Sequence, residues 1–165
     1  MTSTFLDILT FAAVLGSGLV AGVFFAFSTF IMRALGQLPH DQGIAAMKAI
    51  NVTVINPLFF LAFLGTGVVC LPVALLALLN AAGTQRAYLL AGCTLYLLGC
   101  VLVTIAFNVP LNNRLASADP DASGAEALWA HYLSRWTLWN HVRTAAPLAA
   151  AGLFTMALCR GVIGG

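Results

Sequence analysis

Four long stretches of this sequence contain no charged side chain, and this pattern restricts the fold more than any other feature. The stretches cover residues 8–32, 49–85, 87–113 and 144–159. A helix that crosses a bilayer needs about 20 mostly apolar residues. The composition agrees, because 61% of the residues are hydrophobic and only 7% are charged, against about 25% charged residues in soluble domains. We therefore expect an all-α integral membrane protein that crosses the lipid bilayer four times.

The predicted architecture is an antiparallel four-helix bundle that forms a single domain. Turn-forming residues separate the apolar stretches and mark the ends of the helices. The spans are expected at about 6–35, 44–80, 85–107 and 138–160, with an interfacial helix at about 125–137. Two prolines, Pro57 and Pro72, lie within the second predicted span. We expect them to kink that helix, because proline lacks a backbone donor.

Most of the polar residues fall at one end of the predicted bundle. In an antiparallel bundle, the ends of helices one and three meet the starts of helices two and four at the same membrane face. The residues collected there are Ser28, Thr29, Arg33, Asn51, Thr53, Asn56, Asn108, Asn112, Asn113, Arg114, Asn140, His141, Arg143 and Thr144. Ionisable groups in a membrane are costly unless they face a protein interior or a cavity. We therefore predict a half-buried polar pocket at that face.

The residues available to this pocket disfavour several kinds of chemistry. Asp41, Asp119, Asp121 and Glu126 lie in predicted loops or interfacial segments, which argues against proton relays and di-iron sites built from buried acids. No two histidines have ligand spacing within one helix, so a metal site would need ligands from separate segments. A net charge of only +2 and the lack of a Lys/Arg run argue against nucleic-acid binding. The residues do not identify a cofactor.

A small, flat, aromatic and weakly acidic molecule suits such a pocket. Phe27, Trp136 and Trp139 offer rings for stacking. Arginines such as Arg33 stabilise an enolate or phenolate, and a neutral His141 accepts a proton. We therefore expect a hydrophobic aromatic partner that enters from the bilayer.

Several segments of the chain also match the pattern of a known family. They are Gly22-Val-Phe-Phe-Ala-Phe-Ser-Thr-Phe, Met47-Lys-Ala-Ile-Asn51, Asn108-Val-Pro-Leu-Asn112-Asn113 and Trp136-Thr-Leu-Trp-Asn140-His141-Val-Arg143-Thr. With these segments the sequence resembles the anthrone oxygenase-like family over nearly its whole length. The resemblance implies a four-span protein that oxidises an anthrone to an anthraquinone, with dioxygen as co-substrate and no added cofactor.

The resemblance and the residue chemistry together suggest roles for individual side chains. His141 is the predicted base, while Arg143, Asn140 and Asn112 are predicted to hold the developing oxyanion, and Trp136 or Trp139 to stack on the ring. The other predicted substrate-binding residues are Asn51, Asn56, Asn108, Phe27 and Arg33.

Three other functions also fit the sequence. One is a non-catalytic binding or transport protein for a hydrophobic metabolite. The second is a haem or copper redox protein that uses His141 with a methionine or a second histidine as ligands. The third is a structural or assembly subunit whose polar residues only join the helices.

Location and assembly are predicted from charges and small residues. The loops after helices one and three carry more Lys and Arg than the other side, so the positive-inside rule places both termini outside the cytoplasm. This bias disappears if Arg33, Arg114 and Arg143 serve the pocket. We expect a multi-pass protein of the bacterial plasma membrane. Gly18 and Gly22 form a GxxxG pair, which packs within the bundle or joins copies of the chain as a homo-oligomer.

Overall fold

The computed structural model describes residues 2–163, with side chains for 4–160, and this part of the chain contains only helices and their connections. The α-helices are α1 (Thr2–Ala26), α2 (Met32–Leu35), α3 (His40–Thr53), α4 (Pro57–Asn80), α5 (Gly83–Thr94), α6 (Val109–Ala116) and α7 (Ala125–Ile163). Three π-helical segments occur at Phe27–Ile31, Leu95–Leu102 and Thr104–Asn108. They join α1 to α2 and α5 to α6 without a break in the helical path.

Four of the resulting continuous helices are long and apolar enough to cross a membrane. They are span 1 (Thr4–Leu35), span 2 (Pro57–Asn80), span 3 (Gly83–Ala116) and span 4 (Ala125–Arg160). The predicted all-α class with four spanning helices is therefore confirmed. Span 4 has 36 residues, which is about 54 Å at 1.5 Å per residue. This exceeds the roughly 30 Å of a hydrocarbon core, so part of span 4 extends beyond the membrane.

The segment predicted as one helix over 44–80 forms two helices. Helix α3 ends at Thr53 and α4 begins at Pro57. Asn56 caps α4, because its Oδ1 accepts a hydrogen bond of 3.0 Å from the backbone N–H of Phe59. Proline suits the first position of a helix, where its missing N–H would have no partner in any case. Pro57 therefore starts a helix instead of kinking one, whereas Pro72 lies inside α4.

Two other predicted boundaries lie within continuous helices. The chain does not leave the helical path at residue 107, because Pro110 falls in the first turn of α6, where a missing donor is tolerated. The segment 125–137, predicted as an interfacial helix before the fourth span, is the first third of α7. No proline or glycine lies near residue 137, so the backbone has no reason to break there.

The four spans form a closed ring in chain order, with span 4 packed against span 1. Small residues let the helices approach closely. A Cβ added at Gly99 would lie 2.5 Å from the Cβ of Ala146, and one added at Gly92 would lie 2.6 Å from the Phe154 ring. By contrast, nothing lies within 4 Å of the equivalent positions at Gly18 and Gly22. Contacts within the described chain therefore do not explain why these two positions are glycine.

The residues that the structure describes form two apolar cores inside the bundle. The first contains Phe63, Tyr96 and Phe154 among its buried residues, and the second contains Met47 and Trp129 from α3 and α7. Span 2 contributes to the first core, while α3 takes its place in the second.

A set of polar residues separates the two cores along three of the spans. On span 1, Phe24 belongs to the first core and Met32 to the second, with Ser28 between them. On span 3 the polar residues lie between Cys100 of the first core and Leu115 of the second core. On span 4 they also lie between the residues of one core and those of the other. We call this set the polar layer, and it consists of Ser28, Thr104, Asn108, Asn140, Arg143 and Thr144.

Candidate functional site

Asn140 is the central residue of the polar layer. Its amide nitrogen donates hydrogen bonds of 2.7 Å to the backbone carbonyl of Phe24 and to Ser28 Oγ. Its Oδ1 accepts a bond of 3.0 Å from Nε of Arg143. The side chain of Asn140 is fully buried. It therefore connects the guanidinium group on span 4 to the hydroxyl group on span 1.

Arg143 carries a positive charge in the interior of the bundle. Its side chain is 5% exposed, and the guanidinium carbon lies 4.3 Å from the ring centre of Phe24 and 4.6 Å from that of Trp136. Nη1 donates to Thr104 Oγ1 at 3.4 Å. The five carboxylate side chains of the protein are all exposed: Asp7, Asp41, Asp119, Asp121 and Glu126. Two aromatic faces and neutral oxygen atoms therefore surround the cation.

The polar layer lies next to irregular helix geometry. Ser28 is in the π-helical segment Phe27–Ile31, and Thr104 and Asn108 are in Thr104–Asn108. Single π-helical turns often occur at functional sites, because they change the direction in which side chains and carbonyl groups point. Spans 1 and 3 thus both depart from regular α-helix where their polar side chains meet span 4.

A second hydrogen-bond network lies beside the polar layer, within the second core. Asn112 Oδ1 accepts from Tyr132 Oη at 2.8 Å and from Trp136 Nε1 at 2.9 Å. Asn51 Nδ2 donates to the same tyrosine oxygen at 3.5 Å. Asn108 donates to the Trp136 carbonyl at 3.2 Å, while its own Oδ1 is buried without a partner among the described residues. This network fixes the Trp136 ring that covers one face of Arg143.

An open groove of about 930 Å³ runs between the end of span 1 and the first half of span 4. We call it the His141 groove. Its lining is Ser28, Thr29, Met32, Arg33, Gly36, Gln37, Ala130, Leu133, Ser134, Thr137, Leu138 and His141. The groove therefore combines a histidine, an arginine and several hydroxyl groups with apolar walls. Ser28 belongs to both the groove and the polar layer.

The structure divides the predicted site residues among several places. His141 and Arg33 line the groove, whereas Asn140 and Arg143 lie in the interior of the bundle. The others that belong to the interior networks or pack against them are Asn108, Asn112, Asn51, Trp136 and Phe27. Neither Asn112 nor Arg143 lines the groove with the predicted base, so the predicted oxyanion contacts are not assembled directly around His141.

Two predicted residues have local partners outside both groups. Asn56 caps α4, and its amide nitrogen donates to the carbonyl of Thr53 at 3.0 Å. The ring of Trp139 stacks on Phe107, with ring centres 3.6 Å apart and planes 8° apart. One face of Trp139 is therefore already covered by this chain.

Sequence reasoning missed several residues of the site, although their spacing carries a signal. Ser134, Thr137 and His141 follow at three- and four-residue intervals on α7 and all line the groove. Thr104 lies four residues before Asn108 and joins it on the face of span 3 that meets span 4. Polar residues at helical spacing in an apolar helix indicate a shared face.

The described residues also bear on metal binding. No three His, Cys, Asp or Glu side chains within the described part of the chain come together in a group that could hold a metal ion.

No curated protein and no solved structure matches this chain. The family model of anthrone oxygenase matches residues 59–153, which is more than half of the 165 residues. The matched region includes Asn108, Asn112, Asn140, His141 and Arg143, while the groove residues of span 1 lie before it. The chain belongs to the anthrone oxygenase family.

Proposed function

We propose that this protein is a membrane-bound oxygenase that uses dioxygen to oxidise a small hydrophobic aromatic substrate of the anthrone type. The observation that carries the proposal is the His141 groove, where a histidine and Arg33 share a lining with apolar side chains. Membership of the anthrone oxygenase family supports the same reaction class. We place the enzyme in the bacterial plasma membrane as a multi-pass protein.

The groove has the size and lining that such a substrate needs. Small-molecule sites usually measure about 300–1,000 Å³ and combine apolar walls with a few polar groups, and the volume of about 930 Å³ falls within that range. Met32, Leu133 and Leu138 supply apolar contacts. A lipophilic molecule reaches the groove from the side, because the groove is open at the surface of the bundle.

The proposed reaction begins with proton transfer to His141. Removal of a methylene proton gives an enolate, whose charge Arg33 stabilises from the same groove. The enolate transfers one electron to dioxygen, and the resulting carbon radical and superoxide combine to form a C–O bond. The terminal peroxide oxygen takes the proton from His141. Loss of the second methylene proton then forms the carbonyl as the O–O bond breaks, and the products are an anthraquinone and water.

A substitution at His141 tests the proposal. We expect His141→Ala to lower the rate of oxygen uptake with anthrone by about 100-fold or more, because a positioned base contributes roughly 10² to 10⁴. The measurement uses the full chain in detergent or nanodiscs, with the uncatalysed uptake subtracted. His131→Ala is the matched control, since His131 is an exposed histidine on the same helix.

The outcomes test the identity of the base and the oxygenase activity separately. Unchanged oxygen uptake in His141→Ala shows that another group is the base. If the wild-type protein takes up no more oxygen than the buffer, the oxygenase proposal itself fails.

The openness of the groove favours one alternative, a protein that binds a hydrophobic metabolite without chemical change. Oxygenases usually enclose their reactive intermediates to exclude water. Saturable binding of anthrone to the wild-type protein without oxygen uptake would support this alternative.

A further inference from the structure

Ser28 is the only residue that the polar layer shares with the lining of the His141 groove. It lies in the π-helical segment of span 1, and its Oγ accepts a hydrogen bond of 2.7 Å from Asn140. Asn140 in turn accepts from Arg143 at 3.0 Å. A continuous chain of hydrogen bonds therefore leads from a buried cation to a hydroxyl group at the groove.

The hydroxyl hydrogen of Ser28 can be directed to either of two acceptors. The Oγ atoms of Ser28 and Thr144 are 3.0 Å apart. Thr144 uses its own hydrogen in a bond of 2.7 Å to the carbonyl of Asn140. Ser28 therefore either donates to Thr144 or turns its hydrogen to an acceptor in the groove.

The positive charge strengthens this donor. A guanidinium group that donates to an amide oxygen polarises the amide and makes its N–H a stronger donor. A hydroxyl group that accepts from such an N–H becomes a stronger donor in turn, because hydrogen bonds in a chain reinforce one another where the dielectric constant is low. The charge of Arg143 is thus connected to a groove that Arg143 itself does not line.

We propose that Ser28 binds the ionised oxygen of the substrate in the His141 groove, with Asn140 and Arg143 as positioning residues that make it a strong donor. This proposal rests on the function proposed above and extends it by assigning the substrate oxygen to a named hydroxyl group. The predicted roles of Arg143 and Asn140 in charge stabilisation are kept, but they act through Ser28 instead of by direct contact.

The test reads ionisation of a bound ligand, so it does not depend on turnover. The probe is 1,8-dihydroxyanthraquinone, whose visible absorption changes when a phenol group ionises. We expect the wild-type protein to bind the phenolate more tightly than the phenol, so that the bound probe ionises at a lower pH than the free probe. In Ser28→Ala the ionisation midpoint should rise by about one pH unit, a tenfold loss of preference for the phenolate.

Further variants distinguish the relay from a structural role of Ser28. Ser28→Thr keeps the hydroxyl group and should restore the wild-type midpoint. Arg143→Met should raise the midpoint in the wild-type background and leave it unchanged in Ser28→Ala, because the charge acts through that hydroxyl group. Thr155→Val is the matched control, since the Thr155 hydroxyl donates to its own helix at Ala151, away from the groove.

Each outcome has a defined meaning. An unshifted midpoint in Ser28→Ala, or an equal effect of Arg143→Met in both backgrounds, overturns the relay. Failure of the wild-type protein to bind the probe overturns it as well. If the midpoints shift as expected while oxygen uptake with anthrone is absent, the relay stands and the oxygenase proposal is the one that fails.

Discussion

Arg143 is an expensive residue for a membrane protein to bury. Removing a cation from water costs several kcal/mol even after the protein relaxes. The two rings beside its guanidinium group contribute about 2 kcal/mol each when desolvated, and the bond to Asn140 adds roughly 1.5–3 kcal/mol. These terms nearly cancel. The charge therefore contributes little to folding, which suits a role in function.

We therefore expect Arg143→Met to change the free energy of unfolding by less than about 1 kcal/mol. Methionine fills much of the same volume between Phe24 and Trp136, and the relief of desolvation offsets the donor lost to Asn140. Unfolding of the purified protein in mixed detergent micelles measures this change. Oxygen uptake of the same sample should fall, which separates function from stability.

A core substitution provides the control for this measurement. Phe154 is fully buried in the first core, and Phe154→Ala should destabilise the protein by about 3–5 kcal/mol. A loss of similar size in Arg143→Met would mean that the cation stabilises the fold.

The residues of the site were partly predictable. Asn140, Arg143 and Thr144 are three and four residues apart, so their spacing indicated a common face of the helix. His141 follows Asn140 directly, and successive helical residues point about 100° apart. The sequence motif therefore grouped Asn140 with His141, although the helix directs these two side chains to different sides. Only the packing against span 1 shows that the groove lies on the His141 side.

At the scale of the elements, close packing of small residues holds spans 3 and 4 together. Gly99 and Ala146 meet where the π-helical segment of span 3 crosses α7. Because lipid is as apolar as the helix surface, such close contact between small residues is a main source of helix association in membranes.

Gly99→Ala should therefore destabilise the bundle by about 1–3 kcal/mol, because the added methyl group would lie 2.5 Å from the Cβ of Ala146. Gly152→Ala makes the same chemical change on α7, where no atom of the described chain lies within 4 Å of the added methyl group. It should leave stability unchanged or raise it by up to about 1 kcal/mol. Unfolding in mixed micelles compares the two.

A second substitution makes this prediction stricter. Ala146→Gly removes the opposing methyl group and should restore most of the stability lost in Gly99→Ala. Lack of rescue would show that Gly99 is required for another reason, such as the π-helical geometry of its own segment.

The helix limits could be predicted where the length of an apolar stretch decides them. They could not be predicted where local hydrogen bonds decide them. The four spans follow from long apolar stretches. The break before α4 depends on the Asn56 side chain, which satisfies a backbone N–H that a continuous helix would bond internally. The segment 125–137 was predicted to be interfacial because it contains Trp129 and Tyr132, but these side chains pack in the second core and the segment belongs to α7.

At the scale of the whole molecule, the positions of exposed cations predict its orientation. Arg114 and Arg135 are exposed and Lys48 is half-buried on the side of the second core, against Arg86 and Arg160 on the other side. Arg143 is buried and Arg33 lines the groove, so neither counts toward this bias. The remaining excess still places the loop before α7 in the cytoplasm by the positive-inside rule.

Labelling of single cysteines tests this orientation. Cys159 is exposed and must first be replaced by serine, whereas Cys70, Cys93 and Cys100 are buried. A membrane-impermeant maleimide should then react with Ala122→Cys in inverted vesicles only and with Ala82→Cys in intact spheroplasts only, since both positions are exposed connections. The reverse pattern would mean that the topology is inverted.

The buried charge also affects how the chain is made. Span 4 is the least apolar of the four spans, and an arginine in a membrane-spanning helix raises the free energy of insertion by the translocon, by about 2.5–3.5 kcal/mol at the bilayer centre and by less toward the interface. Thr104 on span 3 and Phe24 on span 1 offset that cost, and both are synthesised earlier. Because span 4 follows the other three spans, its partners are already in the membrane when it emerges from the ribosome. The order of the spans along the chain therefore serves as a built-in assembly sequence.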